Sequence, residues 1–292
     1  MITASLNHIK DFHYFERNSK LGWGTGKKCE IGFYSSVVYL SKGTGYIGAT
    51  RTGNGGLGDI LDIINYDDEF NLLSKKEITK GEDPRTFIYN ERPYALTWSP
   101  NNKYKFLGMK QPKMLTYKLI DLIDRKVINL DIENFKSPSP MRLLGKNWMP
   151  LVMGNKLYFV LTIHPQITII ECDIESGKCV WVTPIREVQN GLSISEYRGG
   201  TPFIFDEKSN LFVGLGHRTY DLYNHKPFLY TLTKDFKQVT IGEDIITGKQ
   251  DVEDPSSIYK HNGKIFCCIN NLRRGIREGE LGLYELTLNL QD

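Results

Sequence analysis

Helical periodicity is nearly absent from this chain. The best helix candidates are the short runs 57–64 (LGDILDII) and 117–124 (YKLIDLID), and their composition suits strands equally well. No stretch of roughly 18 consecutive apolar residues occurs, so no membrane-spanning helix is expected. The first twenty residues lack the continuous apolar segment of a signal peptide. Cysteine is scarce: five residues (Cys29, Cys172, Cys179, Cys267, Cys268), an odd number with no C-x-x-C pair. A reducing, cytoplasmic setting is the expectation. Cys172 and Cys179 flank the turn DIESGK and can face each other across a hairpin, but the pattern favours free thiols.

Charge of one sign is also missing. The net charge of +3 points to neither nucleic acid nor a membrane surface, and the densest basic run, LRRGIR (272–277), reads as a solvated loop. The six histidines (8, 13, 164, 217, 225, 261) are scattered, and no H-x-x-x-H or clustered ligand set indicates a metal. There is no G-x-S-x-G elbow and no P-loop, and the glycine-rich segment 43–58 fits hairpin turns rather than a dinucleotide fingerprint.

What the sequence does have is a succession of short apolar runs rich in Val, Ile, Tyr and Phe. Turns such as YNE, MGN, ESGK and HNGK separate them, which is the pattern of an all-β protein made of hairpins. Five segments share one layout: a polar lead-in, an apolar strand, a turn and a stronger apolar strand. They begin at Tyr34, Glu82, Asn147, Gly199 and Glu253, about 50 to 65 residues apart, with further hairpins between them. About four strands per repeat and five repeats predict a five-bladed β-propeller spanning 1–292 as one domain, with about 20 strands. The last strand, LGLYELTLNL, lacks a hairpin partner after it, so the N-terminal segment is expected to close the same blade.

In an antiparallel hairpin the start of the first strand and the end of the second lie at the same end. The lead-ins carry Glu82, Asp83 and Arg85; Lys146, Asn147 and Trp148; Arg198 and Thr201; Glu253 and Asp254. The second-strand ends carry Arg51, Trp98, His164, His217, Arg218, Asn270 and Asn271. In equivalent blades all of these converge on one end of the channel. Tryptophan faces stack on sugars, carboxylates and amides bind hydroxyls, and Arg, Lys and His neutralise phosphate. A carboxylate beside a glycosidic bond serves as general acid or base. Trp148 packing at a blade edge, Arg85 bridging two blades and His217 as a structural histidine are the bland counterparts. Pro84 is expected to hold Asp83 in extended geometry, with Arg85 pointing to the same side.

The lead-in GEDPR with its hairpin, followed by KNWMP, RGGTP, GHR and a last EDPSS, resembles the five-bladed propeller enzymes that act on β-mannosides. That group comprises glycoside phosphorylases and β-mannosyltransferases. The resemblance implies that Asp83 is the catalytic carboxylate and that Arg51, Lys146, Arg198, His217 and Arg218 hold phosphate or the phosphates of a nucleotide-sugar donor. Arg85, Asn147, Trp148, His164 and Asp254 complete the expected substrate contacts. The function it implies is inverting, metal-independent glycosyl transfer to a carbohydrate, with no nucleic-acid partner. Two alternatives stand beside it: a glycan-binding propeller without catalysis, and an inverting hydrolase with Glu253 or Asp254 as second carboxylate.

Overall fold

The computed structural model describes residues 2–16, 34–52, 60–101, 114–132, 147–164, 167–183, 197–221, 224–249, 251–272 and 278–290. Among them are 22 strands and no helix. Neither candidate forms a helix where it is described. Residues 60–64 lie in β4 and 117–121 in β8, whose faces are both covered, so a continuous apolar run serves a strand there, and 122–124 form the turn that follows.

Strand β1 (Ile2–Glu16) opens the chain. Blade 1 is β2 (Tyr34–Ser41), β3 (Gly45–Thr52), β4 (Ile60–Tyr66) and β5 (Leu72–Lys80). Blade 2 is β6 (Glu82–Tyr89), β7 (Arg92–Asn101), β8 (Met114–Asp121) and β9 (Lys126–Asn129). The short β10 (Asp131–Ile132) crosses to blade 3 and pairs in parallel with that blade's last strand. Blade 3 continues with β11 (Met149–Met153), β12 (Lys156–Thr162), β13 (Thr168–Cys172) and β14 (Lys178–Trp181). In blade 4 the inner strand is split into β15 (Tyr197–Arg198) and β16 (Ile204–Asp206), both paired with β17 (Leu211–Asp221). β18 (Asn224–Leu232) and β19 (Val239–Asp244) complete it. Blade 5 runs β20 (Val252–His261), β21 (Lys264–Leu272), β22 (Glu278–Leu290) and then β1, which pairs antiparallel with β22 from Ile2↔Leu290 to Glu16↔Glu278. The N-terminal strand thus closes the last blade, as the unpaired C-terminal strand required.

Four apolar clusters fill the gaps between blades, one of them serving both sides of blade 1 by including Ala95 and Ile120 of blade 2. Val37, Leu61 and Ile64 of blade 1 meet Cys268 and Leu281 of blade 5. Leu119 meets Phe159 and Ile170 between blades 2 and 3, Leu151 meets Phe212 and Tyr230 between 3 and 4, and Leu215 meets Ile258 and Ile269 between 4 and 5. Burial of this kind, at about 25 cal/mol per Å² of apolar surface, is what orients the blades.

Close to the axis the packing turns polar and fixes the channel. The Ser36 hydroxyl donates to the Ser256 carbonyl (2.9 Å) and accepts the Thr86 N–H (2.7 Å). Thr86 Oγ1 donates to the Ser36 carbonyl (2.7 Å), and Ser257 Oγ to the Val37 carbonyl (2.6 Å). Ser257 and Thr86 are register partners in a short parallel pairing of β20 with β6. Small hydroxyl residues at these positions let three inner strands from blades 5, 1 and 2 approach until their backbones join.

Cys172 and Cys179 are opposed in register across β13 and β14, with 4.1 Å between their Cα atoms, and their sulfurs are bonded. The expectation of free thiols is corrected for this pair: the register of β13 and β14 sets the two cysteines directly opposite each other, within bonding reach. Cys267 and Cys268 are free and buried. Cys29 lies outside the described residues. No helix among the described residues is long and apolar enough to cross a membrane.

Ser36→Ala removes one donor and leaves the Thr86 N–H and Ser256 carbonyl unsatisfied in the interior. Chemical denaturation is expected to show a loss of about 2 kcal/mol or more, whereas Ser41→Ala, at an exposed hairpin end, leaves stability within about 0.5 kcal/mol of wild type.

Candidate functional site

The register of the hairpins places the sequence-predicted residues together. Tyr34 lies opposite Arg51, Glu82 opposite Trp98, Arg198 opposite His217, Tyr197 opposite Arg218, and Glu253 and Asp254 opposite Asn271 and Asn270. All sit at the end of the channel where the inner strands begin, above the hydroxyl floor.

Arg51 is buried between two carboxylates of blade 2, with Nη2 3.1 Å from Glu82 Oε2 and Nη1 2.8 Å from Asp83 Oδ1. Arg85, 2% exposed, donates from Nη1 to the Tyr34 hydroxyl and from Nη2 to Asn147 Oδ1 (2.7 Å), tying blades 1, 2 and 3 together. On blade 5 Asp254 accepts a hydrogen bond from His225 Nδ1 (2.8 Å) and faces His217 Nε2 at 3.6 Å. Arg198 feels both Asp83 and Asp254, and so does the Tyr34 hydroxyl, so both aspartates lie within electrostatic reach of the same two side chains. Among the described residues Arg198 makes no ion pair or hydrogen bond with any side chain.

The electrostatics follow from burial. Desolvation pushes the His217 imidazole down to about 3, opposed by Asp254 and reinforced by His225, Arg198 and Arg85, so the ring is neutral at ordinary pH. Burial works against ionisation of Asp254, but the two histidines and Arg85 outweigh it and hold the carboxyl below its usual range. Burial lowers the Arg198 guanidinium somewhat, with Asp254 and Asp83 opposing.

Backbone geometry corrects the expectation for Asp83. Its φ is +48°, in the left-handed region, not extended. The cause is a bulge: Glu82 pairs with Trp98 and Arg85 with Leu96, so Asp83 and Pro84 together oppose Thr97. Pro84 has no N–H to lose from the ladder, which suits it to a bulge. The bulge also breaks the alternation expected to set Arg85 on the side of Asp83. In blade 5 the same E-D-P triplet has its irregularity one step later, between Pro255 and Ser257, leaving Asp254 in regular pairing. Asn147, at the entry to blade 3, also has positive φ (+76°). The other non-glycine residues with positive φ, such as Asn90, Glu91, Arg125 and Asn262, sit in hairpin turns, so strain near the channel is concentrated at two side chains that point into the site.

Other expected residues have different duties. Trp148 is 1% exposed and its ring lies 3.5 Å from that of Tyr117, nearly parallel, so it packs between blades 2 and 3 rather than presenting a face to a sugar. Arg218 pairs with Asp244 (2.9 Å) and covers the Tyr197 ring. His164 is exposed at the rim, its ring 5.1 Å from that of Tyr197. Glu253 is fully buried with Lys226 (3.3 Å) and Thr247. Asn270 grips both the N–H (2.8 Å) and the carbonyl (2.9 Å) of Ser35, stapling blade 5 to blade 1. Thr201 accepts the Leu215 N–H (2.9 Å). The paired glycines of RGGTP are explained by close approach: a Cβ on Gly199 would lie 2.0 Å from the Asn147 carbonyl oxygen, and one on Gly200 2.3 Å from that of Leu215. Lys146 lies outside the described residues. Sequence reasoning missed Tyr34 and His225. His225 begins the third strand of blade 4, which starts where the second ends, so the strand-end rule reaches it when carried one strand further.

The chain matches no protein-family model and no curated protein by sequence. Among solved structures it is similar to GH43 glycoside hydrolases. These include a GH43 β-1,3-galactosidase bound to galactodeoxynojirimycin (TM-score 0.52, 12% identity, 88% of this chain and 91% of that one). An α-L-arabinofuranosidase from Lactobacillus brevis gives TM-score 0.52 at 9% identity, covering 87% and 90% of the two chains. An exo-β-1,3-galactanase from Phanerochaete chrysosporium with β-1,3-galactotriose gives 0.54 at 9%, covering 87% and 60%. At such identities the likeness shows the five-bladed propeller fold.

The buried neutral His217 makes a prediction about acid. The unfolded imidazole takes up a proton below about 6.5, but the folded one does so only near 3. Its contribution to stability is therefore complete above the unfolded pKa and is lost as the pH falls toward 3. Denaturation series between pH 7 and 4 are expected to show a shallower acid slope for His217→Gln than for wild type. Equal slopes would mean that His217 protonates normally in the fold.

Proposed function

We propose that the chain is an inverting glycoside hydrolase acting in the mouth of the propeller channel. The observation that carries this is the pair of aspartates, Asp83 of blade 2 and Asp254 of blade 5, at the starts of their inner strands and both within electrostatic reach of Arg198 and the Tyr34 hydroxyl. Inverting hydrolysis needs one carboxylate to activate water and another group to protonate the leaving oxygen across the scissile bond. The similarity in fold to GH43 hydrolases supports this reading over glycosyl transfer from a phosphate-containing donor. So does the state of the cations: Arg51 and Arg218 are already matched to carboxylates, Arg85 is spent on Tyr34 and Asn147, and His217 is neutral.

In this reading water adds across the glycosidic bond. Asp83, set against Arg51 at 2.8 Å, is favoured as carboxylate and takes the proton of the attacking water. Asp254, held as a carboxylate by the His225 hydrogen bond and the Arg85 charge, stabilises the positive charge that develops on the sugar ring. Neither environment is that of a proton donor, and Glu82 and Glu253 are engaged in ion pairs, so the leaving oxygen takes its proton from solvent water at the channel mouth and Asp83 returns to solvent the proton it accepted. Arg198 and Asn147 supply donors for sugar hydroxyls. A second reading, phosphorolysis, is favoured by one observation: Arg198 is a half-buried guanidinium with no ion-pair partner among the described residues.

The test is a panel of aryl glycosides and oligosaccharides, including β-mannosides, β-galactosides and α-L-arabinofuranosides, assayed with and without phosphate. On whichever is cleaved, Asp83→Asn and Asp254→Asn are each expected to retain the fold and cut turnover by about 10² or more. Near wild-type turnover in both variants would make the aspartates structural.

A further inference from the structure

His217 is 2% exposed; its Nδ1 is buried without a hydrogen-bond partner, and its Nε2 makes no hydrogen bond among the described residues and faces Asp254 Oδ1 at 3.6 Å. That separation is too long for a hydrogen bond. A buried imidazole left without a partner is costly, and such groups in a folded protein ask for an unseen one. The surroundings supply more than a vacancy for water. His225 stacks beside it, with ring centroids 5.1 Å apart and planes 21° apart, and its Nδ1 faces the same Asp254 oxygen at 2.8 Å. One atom from each of the three side chains lies within 4.8 Å of the others.

We infer that His217, His225 and Asp254 form a binding site for a divalent transition-metal ion, with zinc-type coordination by two imidazoles and one carboxylate. Ligands about 2.0–2.2 Å from a tetrahedral ion lie about 3.5 Å from one another. Asp254 Oδ1 stands 3.6 Å from His217 Nε2 and 2.8 Å from His225 Nδ1, on either side of that value, and the three ligand atoms lie within 4.8 Å of one another, so side-chain rotation that draws the two imidazoles together would complete the set. The donor set of two nitrogens and one oxygen suits zinc, cobalt or nickel better than calcium or magnesium, which prefer oxygen. Three protein ligands leave at least one position for water or a sugar hydroxyl. Arg85 and Arg198 act on His217 and oppose a cation, while Asp83 acts on Arg198 and offsets them in part. The three ligands come from different strands, β17, β18 and β20, so a bound ion would pin blade 5 to blade 4 beside the parallel contact His225↔Val252. This inference does not rest on the hydrolase reading, because the ion and its ligands are read out without substrate.

The experiment is titration of the chelator-treated full chain with Zn2+ by calorimetry, and with Co2+ by visible absorption. The expected result is one equivalent bound, a raised Tm, and cobalt d–d bands of four- or five-coordinate intensity. His225→Ala and Asp254→Asn, checked for retained β-structure by circular dichroism, should each weaken binding at least tenfold. His261→Ala, at a hairpin turn remote from the cluster, should not. No stoichiometric binding by wild type, or binding unchanged in both cluster variants, would overturn the inference and leave a water molecule as the partner of His217. If either variant fails to fold, wild-type cobalt decides: bands of six-coordinate weakness reject the site.

Discussion

The hydroxyl contacts that join the inner strands of blades 5, 1 and 2 set the depth of the channel and the height of everything above it. Ser36, Thr86 and Ser257 satisfy backbone groups that the parallel approach of the inner strands would otherwise strand in a dry interior. A larger residue at any of these positions would push the strands apart. With the floor fixed, the residues a few positions earlier on each inner strand have nowhere to go but the rim. Asp83, Arg85 and Asp254 owe their convergence to this floor as much as to their own contacts.

Above the floor, most of the charge is arranged in small ion-paired sets rather than as one cationic field. Arg51 answers Glu82 and Asp83; Arg218 answers Asp244; Lys226 answers Glu253. On the proposed hydrolase reading, such pairing suits a neutral sugar, whose hydroxyls need directed donors and acceptors, better than a di-anionic donor. The left-handed backbone at Asp83 and Asn147 shows where the fold accepts local strain to aim two of those groups.

Much of this was legible in the sequence, because strand-turn-strand repeats and polar lead-ins are local signals. The five repeats, the closing β1 and the shared end of the hairpins all follow from spacing and from antiparallel geometry. Two kinds of feature were not legible. One is the bulge at Asp83 and Pro84, since E-D-P occurs twice and bulges at different steps: the register depends on the partner strand, not on the triplet. The other is which polar side chains are consumed. Trp148 and Arg218 look alike in sequence to residues that stay available, and only packing against Tyr117 and pairing with Asp244 separates them. The Cys172–Cys179 bond likewise depends on register, which the turn between them does not specify. The resemblance to β-mannoside enzymes pointed to the right number of blades, while the fold neighbours are GH43 hydrolases.

The measurement that tests the central claim most directly is the fate of oxygen at the anomeric carbon. Cleavage of an accepted glycoside in 18O-labelled water, followed immediately by NMR and mass spectrometry in phosphate buffer, reads the incoming oxygen and the configuration together. The account predicts a free sugar of inverted anomeric configuration carrying one label from water. A sugar 1-phosphate, or a product of retained configuration, would contradict it.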